Sequence, residues 1–299
     1  MTARLPNPVV RGNARERSSQ APEPFWSSRV GRMTLRLLRW SDRKATRLSF
    51  RLVRWTGKSR EMVHPHHLLP EQASHHWYMP RLRPEWSVLD IGTSNGAHAA
   101  KAATVCTEVV GIDPDATQVA LGAREARHQG LRNLGLVNGL CPPLPFPDRH
   151  FDAVLMLDVL EHVDDRQRFL TEATRVLRDG GVIFIGVPNG ETTWKRRFRA
   201  AGLPHFSDPD HRVEYTPESL VAELAAADLE IDEPWDVAVC DTPLAGWINL
   251  AGGLSLRLYQ RLWQWKRERA LRQPRESIGF RVVARRSQHS RSAHGWGTP

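Results

Sequence analysis

The sequence predicts an α/β protein with a doubly wound sheet of seven strands, an antiparallel edge strand, and two basic amphipathic helices outside the sheet. Short apolar runs alternate with amphipathic helical patterns from Trp86 onward, as in a parallel sheet covered on both faces. The run at 151–157 is almost wholly apolar, which is typical of a strand buried on both sides. From Arg29 onward, arginines recur every three or four residues, close to the helical period.

The predicted elements follow one another from residue 87 to residue 285. Gly130 stands where a helix C-cap is expected, and Thr216 where an N-cap is expected. The last two strands lack the helical crossover of the others, which favours an antiparallel edge. The predicted strands are 87–91, 108–113, 134–138, 151–157, 182–187, 229–239 and 278–285, and the helices between them are 98–104, 117–129, 166–177 and 217–227.

The two basic amphipathic helices are predicted at 29–55 and 254–272. Trp40 and Trp55 accompany the arginines of the first helix, and Trp265 lies on the apolar face of the second. Each helix either packs its apolar side on the rest of the protein or lies on an anionic membrane surface with its tryptophans at the headgroup level. Contact with nucleic acid is a third alternative for the first helix.

Charge is unevenly distributed along the 299 residues. Residues 1–60 carry a net charge of +12 and residues 257–299 carry +9, whereas residues 61–256 carry −12. The basic ends are therefore expected to meet an anionic partner, which is a membrane surface, a nucleic acid or the acidic middle of the chain itself.

Composition also predicts the location and the domain boundaries. The three cysteines show no Cys-x-x-Cys spacing, which argues against a disulfide framework and favours a reducing compartment. No signal peptide is recognisable, and the longest uncharged runs are too short to span a bilayer, so we expect a cytoplasmic protein, peripheral to the inner face of the membrane. The predicted regions are disordered ends at 1–25 and 287–299, a basic helix and cap at 26–83, and a sheet domain at 84–286 with a helical insertion at 241–275.

The first predicted strand ends in a glycine turn, Asp90-Ile91-Gly92-Thr93-Ser94-Asn95-Gly96. Gly92 and Gly96 turn without steric cost and let a ligand approach the backbone. Asp113 ends the second strand, 23 residues after Asp90, where a carboxylate can accept both hydroxyls of a ribose. The turn and this carboxylate predict a site for an adenosine-containing cofactor. A dinucleotide fingerprint is disfavoured because Ser94 stands where its second glycine is expected.

Seven blocks between Trp86 and Ala238 resemble, in the same order, the class I S-adenosylmethionine-dependent methyltransferases. The resemblance implies a Rossmann-like fold, S-adenosyl-L-methionine as the cofactor and methyl transfer as the activity. The blocks are Val88-Leu89-Asp90-Ile91-Gly92, Val110-Gly111-Ile112-Asp113, Leu144-Pro145-Phe146-Pro147-Asp148, Phe151-Asp152-Ala153-Val154, Val159-Leu160-Glu161-His162-Val163, Arg175-Val176-Leu177 before Gly180-Gly181, and Val187-Pro188-Asn189.

The resemblance also implies roles for particular residues. Two of them depart from the family's common pattern: Ser94 replaces a third glycine, and Leu140 replaces an acidic residue that contacts the adenine amino group. Loss of that contact would weaken binding by about 1–3 kcal/mol if a buried donor were left unpaired. The implied cofactor-binding residues are Gly92, Thr93, Ser94 and Gly96 at the aminoacyl part, Asp90 at its amine, Asp113 and Pro114 at the ribose end of the second strand, Leu140 and Cys141 beside the adenine, and Asp158 near the methionine portion.

Methyl transfer needs an aligned acceptor and, for many acceptors, a base. His162 is the first candidate. On a helix, Asp158, Glu161 and His162 would share one face, a geometry that can bind a divalent cation and that is similar to the Glu-x-x-Glu-His site of ubiquinone-pathway O-methyltransferases. The alternative is that Glu161-His162 is a structural helix start, and no metal is assigned.

His211 and Tyr215 form the second candidate site. Similar family members place this stretch over the active site, so His211 is expected to act as a base or to position the acceptor. The alternative is a loop histidine that bonds the start of the following helix. The histidines at 64, 66, 67, 75 and 76 match no standard metal-site spacing and are interpreted as part of a covering loop.

The acceptor is predicted to be a small molecule methylated on oxygen or nitrogen. The two basic helices favour an amphipathic or lipid-linked acceptor. Enzymes that methylate base amino groups tend to carry Asn-Pro-Pro-aromatic after the fourth strand, where this chain reads Asp158-Val159-Leu160-Glu161. The acidic middle would also repel a phosphate backbone, which disfavours nucleic acid. Two alternatives stay open: a membrane-associated binding module with a degenerate methyltransferase fold, and an RNA methyltransferase.

Overall fold

A computed structural model describes residues 24–60, 62–69, 76–232 and 235–287. The disorder predicted at 1–25 and 287–299 falls, except for residues 24, 25 and 287, outside these described ranges. The helices are α1 (Pro24–Ser27), α2 (Arg29–Trp55), α3 (Ala97–Ala103), α4 (Ala116–His128), α5 (Arg166–Val176), α6 (Thr193–Ala200), α7 (Pro217–Ala226), α8 (Ala245–Leu254) and α9 (Leu256–Arg272). The strands are β1 (Ser87–Ile91), β2 (Glu108–Asp113), β3 (Leu134–Asn138), β4 (Phe151–Leu157), β5 (Leu177–Pro188), β6 (Leu229–Ile231), β7 (Asp236–Val237) and β8 (Gly279–Arg286).

The chain divides into two compact units. Among the described residues, one unit combines those up to 69 with 189–209 and 237–280, and the other combines those within 76–188, 210–236 and 281–287. The domain boundaries expected from the sequence stay predictions. The grouping of 189–209 with the first unit has no counterpart in the sequence pattern.

The second unit is built around a mixed sheet with the strand order β3-β2-β1-β4-β5-β8-β6, and β7 pairs with β8. The pairs from β3 to β5 are parallel, and β6 is antiparallel to β8, which confirms the predicted doubly wound sheet with an antiparallel edge. β1 is buried along its whole length. Strand order reverses between β1 and β4, and ligands bind at such a switch point, beyond the carboxyl ends of the strands.

Within the described part of the chain, the sheet has eight strands rather than the predicted seven. The apolar run at 229–239 forms two short strands, β6 and β7, instead of one long strand. Pro234 lies between them in the sequence, and proline has no amide hydrogen to donate to a ladder. The predicted strand 182–187 begins earlier, at Leu177, and ends at Pro188.

The helices of the second unit start where short polar side chains can cap them. The Asp115 carboxylate accepts hydrogen bonds from the amides of Thr117 and Gln118 at the start of α4. Thr216 and Ser219 form a reciprocal capping box at the start of α7. The helices predicted from periodicity at these positions are therefore confirmed to within one or two residues.

The first unit is helical, and its central contact is the packing of α2 on α8. The backbones approach closely because Gly246 has no side chain: a Cβ there would lie 2.0 Å from the carbonyl oxygen of Asp42. The Asp42 carboxylate accepts a hydrogen bond of 2.6 Å from the Gly246 amide. A Cβ at Gly253 would similarly lie 2.8 Å from Cβ of Leu52. Small residues thus set the separation of these helices.

Most of the large apolar residues of α2 are not among the residues that this helix buries. The buried positions of α2 are Gly31, Leu35, Ala45, Ser49 and Val53. The large apolar side chains that stay exposed on this helix are Val30, Met33, Leu37, Trp40, Leu48 and Trp55. The alternative in which α2 packs this apolar side on the protein is therefore wrong for these six residues.

Two further helices depart from the sequence pattern. The predicted helical insertion contains two helices, α8 and α9, with a break at Ser255. The Ser255 side chain accepts a hydrogen bond from the Leu258 amide and caps α9. The sequence pattern does not predict α8 as a separate helix. Helix α6 was also not predicted, and Thr192 caps it. Among the described residues, no helix is both long enough and apolar enough to cross a membrane.

Candidate functional site

The glycine turn after β1 adopts a left-handed backbone at three positions. The φ angles are 72° at Gly92, 50° at Ser94 and 75° at Gly96. A Cβ at Gly92 would lie 2.6 Å from Cγ2 of Val159, so the turn also requires glycine for space. Ser94 occupies a region that L-residues with a Cβ rarely adopt, which costs roughly 1 kcal/mol. The turn therefore keeps the predicted shape although serine replaces a glycine.

Asp113 holds this turn against the end of β2. Its Oδ2 accepts a hydrogen bond of 2.8 Å from the Ser94 amide, and its Oδ1 accepts one of 2.9 Å from the Asp115 amide. A carboxylate has about four acceptor positions, so roughly two stay open for a ligand. Asp113 is thus fixed in orientation and still able to accept two hydroxyl donors, as the predicted ribose contact requires. Pro114 follows it at an exposed position.

Asp90 is buried at the end of β1, with only 2% of its surface exposed. The Thr93 hydroxyl donates a hydrogen bond of 2.6 Å to its Oδ2. Burial, aided by the negative charge of Asp113, raises the pKa of Asp90 to about 7. A cationic amine at this carboxylate would favour the ionised form, which suits the predicted contact with the cofactor's amine.

Leu140 and Cys141 lie in the loop after β3. The Leu140 side chain is 70% exposed and is available to cover a flat apolar ligand. Burial raises the pKa of the Cys141 thiol to about 12, so this thiol stays protonated and is a poor nucleophile. Both residues are compatible with the predicted adenine contact, which stays a prediction.

Asp158 follows β4 with a left-handed φ of 56°. Its amide donates to the carbonyl of Gly186, which holds the turn next to β5. Burial raises the pKa of its carboxyl above the usual range, and the positive charge of Arg281 opposes that shift. Arg281 was not singled out from the sequence, because it comes from the distant strand β8 and belongs to no recognised motif.

The expected helical face of Asp158, Glu161 and His162 does not form. Residues Leu160–His162 make a single 3₁₀ turn, and Asp158 precedes it in a left-handed conformation. The i, i+3, i+4 spacing of an α-helix is therefore absent, and this part of the metal hypothesis is wrong. His211 takes the place of Asp158: one ligand atom each of Glu161, His162 and His211 lies within 4.8 Å of the others.

These three side chains form a compact group with a fourth, Glu214. The rings of His162 and His211 meet edge to face, with centroids 4.8 Å apart. His211 Nδ1 lies 3.0 Å from Oε1 of Glu214, and its Nε2 lies 3.9 Å from Oε1 of Glu161. Glu161 is buried, whereas His162 is exposed. The donor set of one carboxylate and two imidazoles fits a divalent transition-metal ion as well as a pair of bases.

Tyr215 is a core residue. Its side chain is fully buried, and its amide donates to the carbonyl of Pro188. Burial and the neighbouring Glu223 raise the pKa of the phenol above its usual range. This position favours a packing role over contact with a substrate.

The chain is similar in sequence to several known proteins. The model of the family described as "Methyltransferase domain" matches residues 89–185. A Mycolicibacterium smegmatis protein named as a probable S-adenosylmethionine-dependent methyltransferase is 32% identical over 49% of this chain and 52% of its own length. The ubiquinone biosynthesis O-methyltransferase of Rhizobium etli strain CIAT 652 is 30% identical over 58% of this chain and 70% of its own.

A solved structure supports the fold alone. The crystal structure of the [4+2]-cyclase SpnF matches with a TM-score of 0.51 and 24% identity, over 69% of this chain and 77% of that one. The chain spans only about half the length of the Mycolicibacterium relative.

Proposed function

Because the chain belongs to the class I S-adenosylmethionine-dependent methyltransferases, we propose that it methylates a hydroxyl or amine of a small amphipathic acceptor at an anionic membrane surface. The observation that carries the proposal is the convergence of His162, His211 and Glu161 after β4, next to the carboxylate of Asp158. The similarity to a ubiquinone biosynthesis O-methyltransferase favours a hydroxyl acceptor.

The cofactor is proposed to lie along the carboxyl ends of β1, β2 and β4. Asp90 would pair with its amine and Asp113 with its ribose hydroxyls, while the backbone of residues 92–96 contacts the aminoacyl part. Leu140, Cys141 and Pro114 would border the adenosine, and Asp158 the methionine portion. S-adenosyl-L-methionine supplies an activated methyl group, so these residues need only bind and orient it.

The acceptor proton is proposed to leave through the histidine pair. His162 is exposed and can reach a bound hydroxyl, and Glu214 holds His211 through Nδ1. This contact directs His211 Nε2 toward Glu161 and His162. A divalent cation, if bound by Glu161, His162 and His211, would lower the pKa of an acceptor hydroxyl. In either case these side chains hold the acceptor oxygen near the methyl donor.

Membrane delivery is proposed from the exposed face of α2. Met33, Leu37 and Trp40 are exposed, and Trp55 is 85% exposed. The helix carries nine basic residues and one acidic residue, Asp42. Apolar side chains flanked by arginines are typical of helices that lie in a membrane interface. Helix α9 adds exposed Leu258 and Trp265 beside Arg257 and Arg261.

The enzymatic part is tested with labelled S-adenosyl-L-methionine and a lipid extract of the source cell as the acceptor mixture. We expect a labelled lipid-soluble product, and its loss in His162→Ala and His211→Ala. His128→Ala is the matched control, because His128 is an exposed histidine at the end of α4. If titration calorimetry shows no cofactor binding at sub-millimolar concentration, the proposal of enzymatic activity is overturned. A binding module with a degenerate methyltransferase fold is then favoured.

The membrane part is tested by flotation with anionic vesicles. The triple variant Met33→Ser/Leu37→Ser/Trp40→Ser removes the apolar surface and leaves the buried face of α2 intact. We expect it to float less than the parent chain. Leu121→Ser, an exposed apolar position on α4, is the control. Equal flotation of all three proteins would remove α2 from the proposal.

In the methyl-transfer assay, transfer of the labelled methyl group to RNA would favour the RNA methyltransferase alternative.

A further inference from the structure

A basic cleft lies within the first unit, and its lining includes none of the residues assigned to the cofactor. Its volume is about 630 Å³, within the range of small-molecule sites. It combines cationic side chains from α2 with apolar side chains from α6 and the segment that follows α6. The lining residues are Arg36, Arg39, Trp40, Arg43, Lys44, Arg47, Phe198, Leu203 and Pro204.

The charge in this cleft is not neutralised within the described part of the chain. Arg36, Arg43, Lys44 and Arg47 form no ion pair with a described carboxylate. The single acidic residue of α2, Asp42, is turned toward α8, where it accepts from the Gly246 amide. Five positive charges therefore line the cleft without a counterion from this helix, which favours an anionic ligand.

Arg39 joins the cationic and apolar sides of the cleft. Its guanidinium donates a hydrogen bond to the carbonyl of Pro204 and lies over the ring of Phe198, 5.2 Å from the centroid. Partial burial and the nearby charge of Arg43 lower the pKa of Arg39, because a second cation disfavours its charged form. An anion between these two arginines would relieve their repulsion.

The apolar side of the cleft continues onto the exposed face of α2. Trp40 lines the cleft and is 61% exposed, and Leu37 and Met33 lie about one and two turns before it on the same side of the helix. A ligand with an anionic head and an apolar chain would therefore find arginines at its head and apolar side chains along its tail. Free phosphate would use only the first of these features.

We infer that this cleft binds the phosphate headgroup of a lipid, with the lipid chain lying along Trp40, Leu37 and Met33. Arginine suits this ligand because its planar guanidinium donates two parallel hydrogen bonds to phosphate oxygens. A phosphomonoester carries about −1.5 to −2 charges at neutral pH, which several of the five cations can share. The inference goes beyond the proposed function, since it assigns a specific lipid site in the first unit that needs neither cofactor nor acceptor.

The test uses dihexanoyl phosphatidic acid below its micellar concentration, titrated calorimetrically into the full chain without cofactor. Inorganic phosphate and dihexanoyl phosphatidylcholine are titrated in parallel. We expect the phosphatidic acid to bind about tenfold or more tightly than either of the other two ligands, since only it engages both sides of the cleft. Equal affinity for inorganic phosphate would overturn the lipid inference and leave a free-phosphate site.

The variant Arg43→Gln/Arg47→Gln removes two exposed cations that line the cleft. Arg51→Gln/Arg54→Gln removes the same charge from exposed positions of α2 outside the cleft. We expect the first variant to raise the Kd for the phosphatidic acid about tenfold and the second to change it less than about twofold. Equal losses in the two variants would indicate general charge attraction and overturn the site. Methyl transfer and vesicle flotation are not part of this readout, so its failure leaves the proposed function standing.

Discussion

The amide of Ser94 donates a hydrogen bond of 2.8 Å to the carboxylate of Asp113, which joins the turn after β1 to the end of β2. The second oxygen of Asp113 accepts from Asp115, so the carboxylate is oriented before any ligand arrives. Preorganisation of this kind reduces the ordering cost of binding. The relationship also explains how serine can occupy the left-handed position in the turn: its amide is satisfied there.

Asp113→Ala is expected to weaken the binding of S-adenosyl-L-methionine by about 10- to 100-fold, because hydrogen bonds to a charged group are lost at the ribose. Titration calorimetry measures the affinity. Asp115→Ala is the matched control: it removes the cap of α4 and should cost about 1 kcal/mol of stability with little change in affinity. Equal losses of affinity in the two variants would contradict the ribose assignment.

The affinity for the cofactor is expected to fall as the pH is lowered through about 7. The pKa of Asp90 is raised to about 7, so this carboxyl becomes protonated below that pH and no longer attracts a cationic amine. Below pH 7 the logarithm of the association constant should fall by up to about one for each pH unit, as expected for a single titrating carboxyl. Calorimetric titrations between pH 5.5 and 8 measure this slope. Asp90→Asn should bind more weakly and lose this pH dependence. A parent chain with a flat profile would show that Asp90 does not meet the amine.

Ser94→Val is expected to destabilise the fold by about 1–2 kcal/mol, because a β-branched residue is strained at a φ of 50°. Ser94→Gly should leave stability within about 1 kcal/mol of the parent, since relief of strain offsets the greater freedom of the unfolded chain. Urea denaturation followed by circular dichroism measures both. A valine variant as stable as the parent would mean that the turn can take another conformation.

Gly246→Val is expected to disrupt the packing of α2 on α8. A Cβ at this position would lie 2.0 Å from the Asp42 carbonyl oxygen, which the backbone cannot accommodate without moving. We expect a loss of about 2 kcal/mol or more, read as a lower thermal midpoint. Gly135→Ala in β3 is the control, because a Cβ there meets no atom within 4 Å. Similar midpoints for both variants would contradict the tight contact.

Glu214→Gln is expected to lower kcat about tenfold with little change in cofactor affinity. The carboxylate lies 3.0 Å from His211 Nδ1 and holds that ring in place, so it acts as a positioning residue. Steady-state kinetics measures kcat, and a thermal midpoint of the same variant is the control. A fall in kcat with an unchanged midpoint separates this role from simple destabilisation, whereas an unchanged kcat would contradict it.

Much of the sheet unit follows from local patterns. The apolar runs and glycine turn predicted β1 to β4 at the bounds that the structure has, because a buried parallel strand must be apolar and a tight turn beside a ligand requires glycine. Asp113 could be placed at the cofactor turn because it ends the strand next to β1. Such features depend on a few neighbouring residues, and their signal is contained in those residues.

The group of Glu161, His162 and His211, which we propose to be catalytic, and the basic cleft depend on contacts between distant parts of the chain. His211 joins Glu161 and His162 only because the chain returns over β4, and Asp158 leaves the predicted group because its backbone turns left-handed. Arg39 meets Phe198 across 159 positions of sequence. The periodicity of the sequence predicts that α2 is amphipathic. It does not predict which side of α2 is buried, because that depends on the close approach of Gly246 and Gly253 of α8. Burial is a property of the partner surface as much as of the helix, and no single helix encodes its partner.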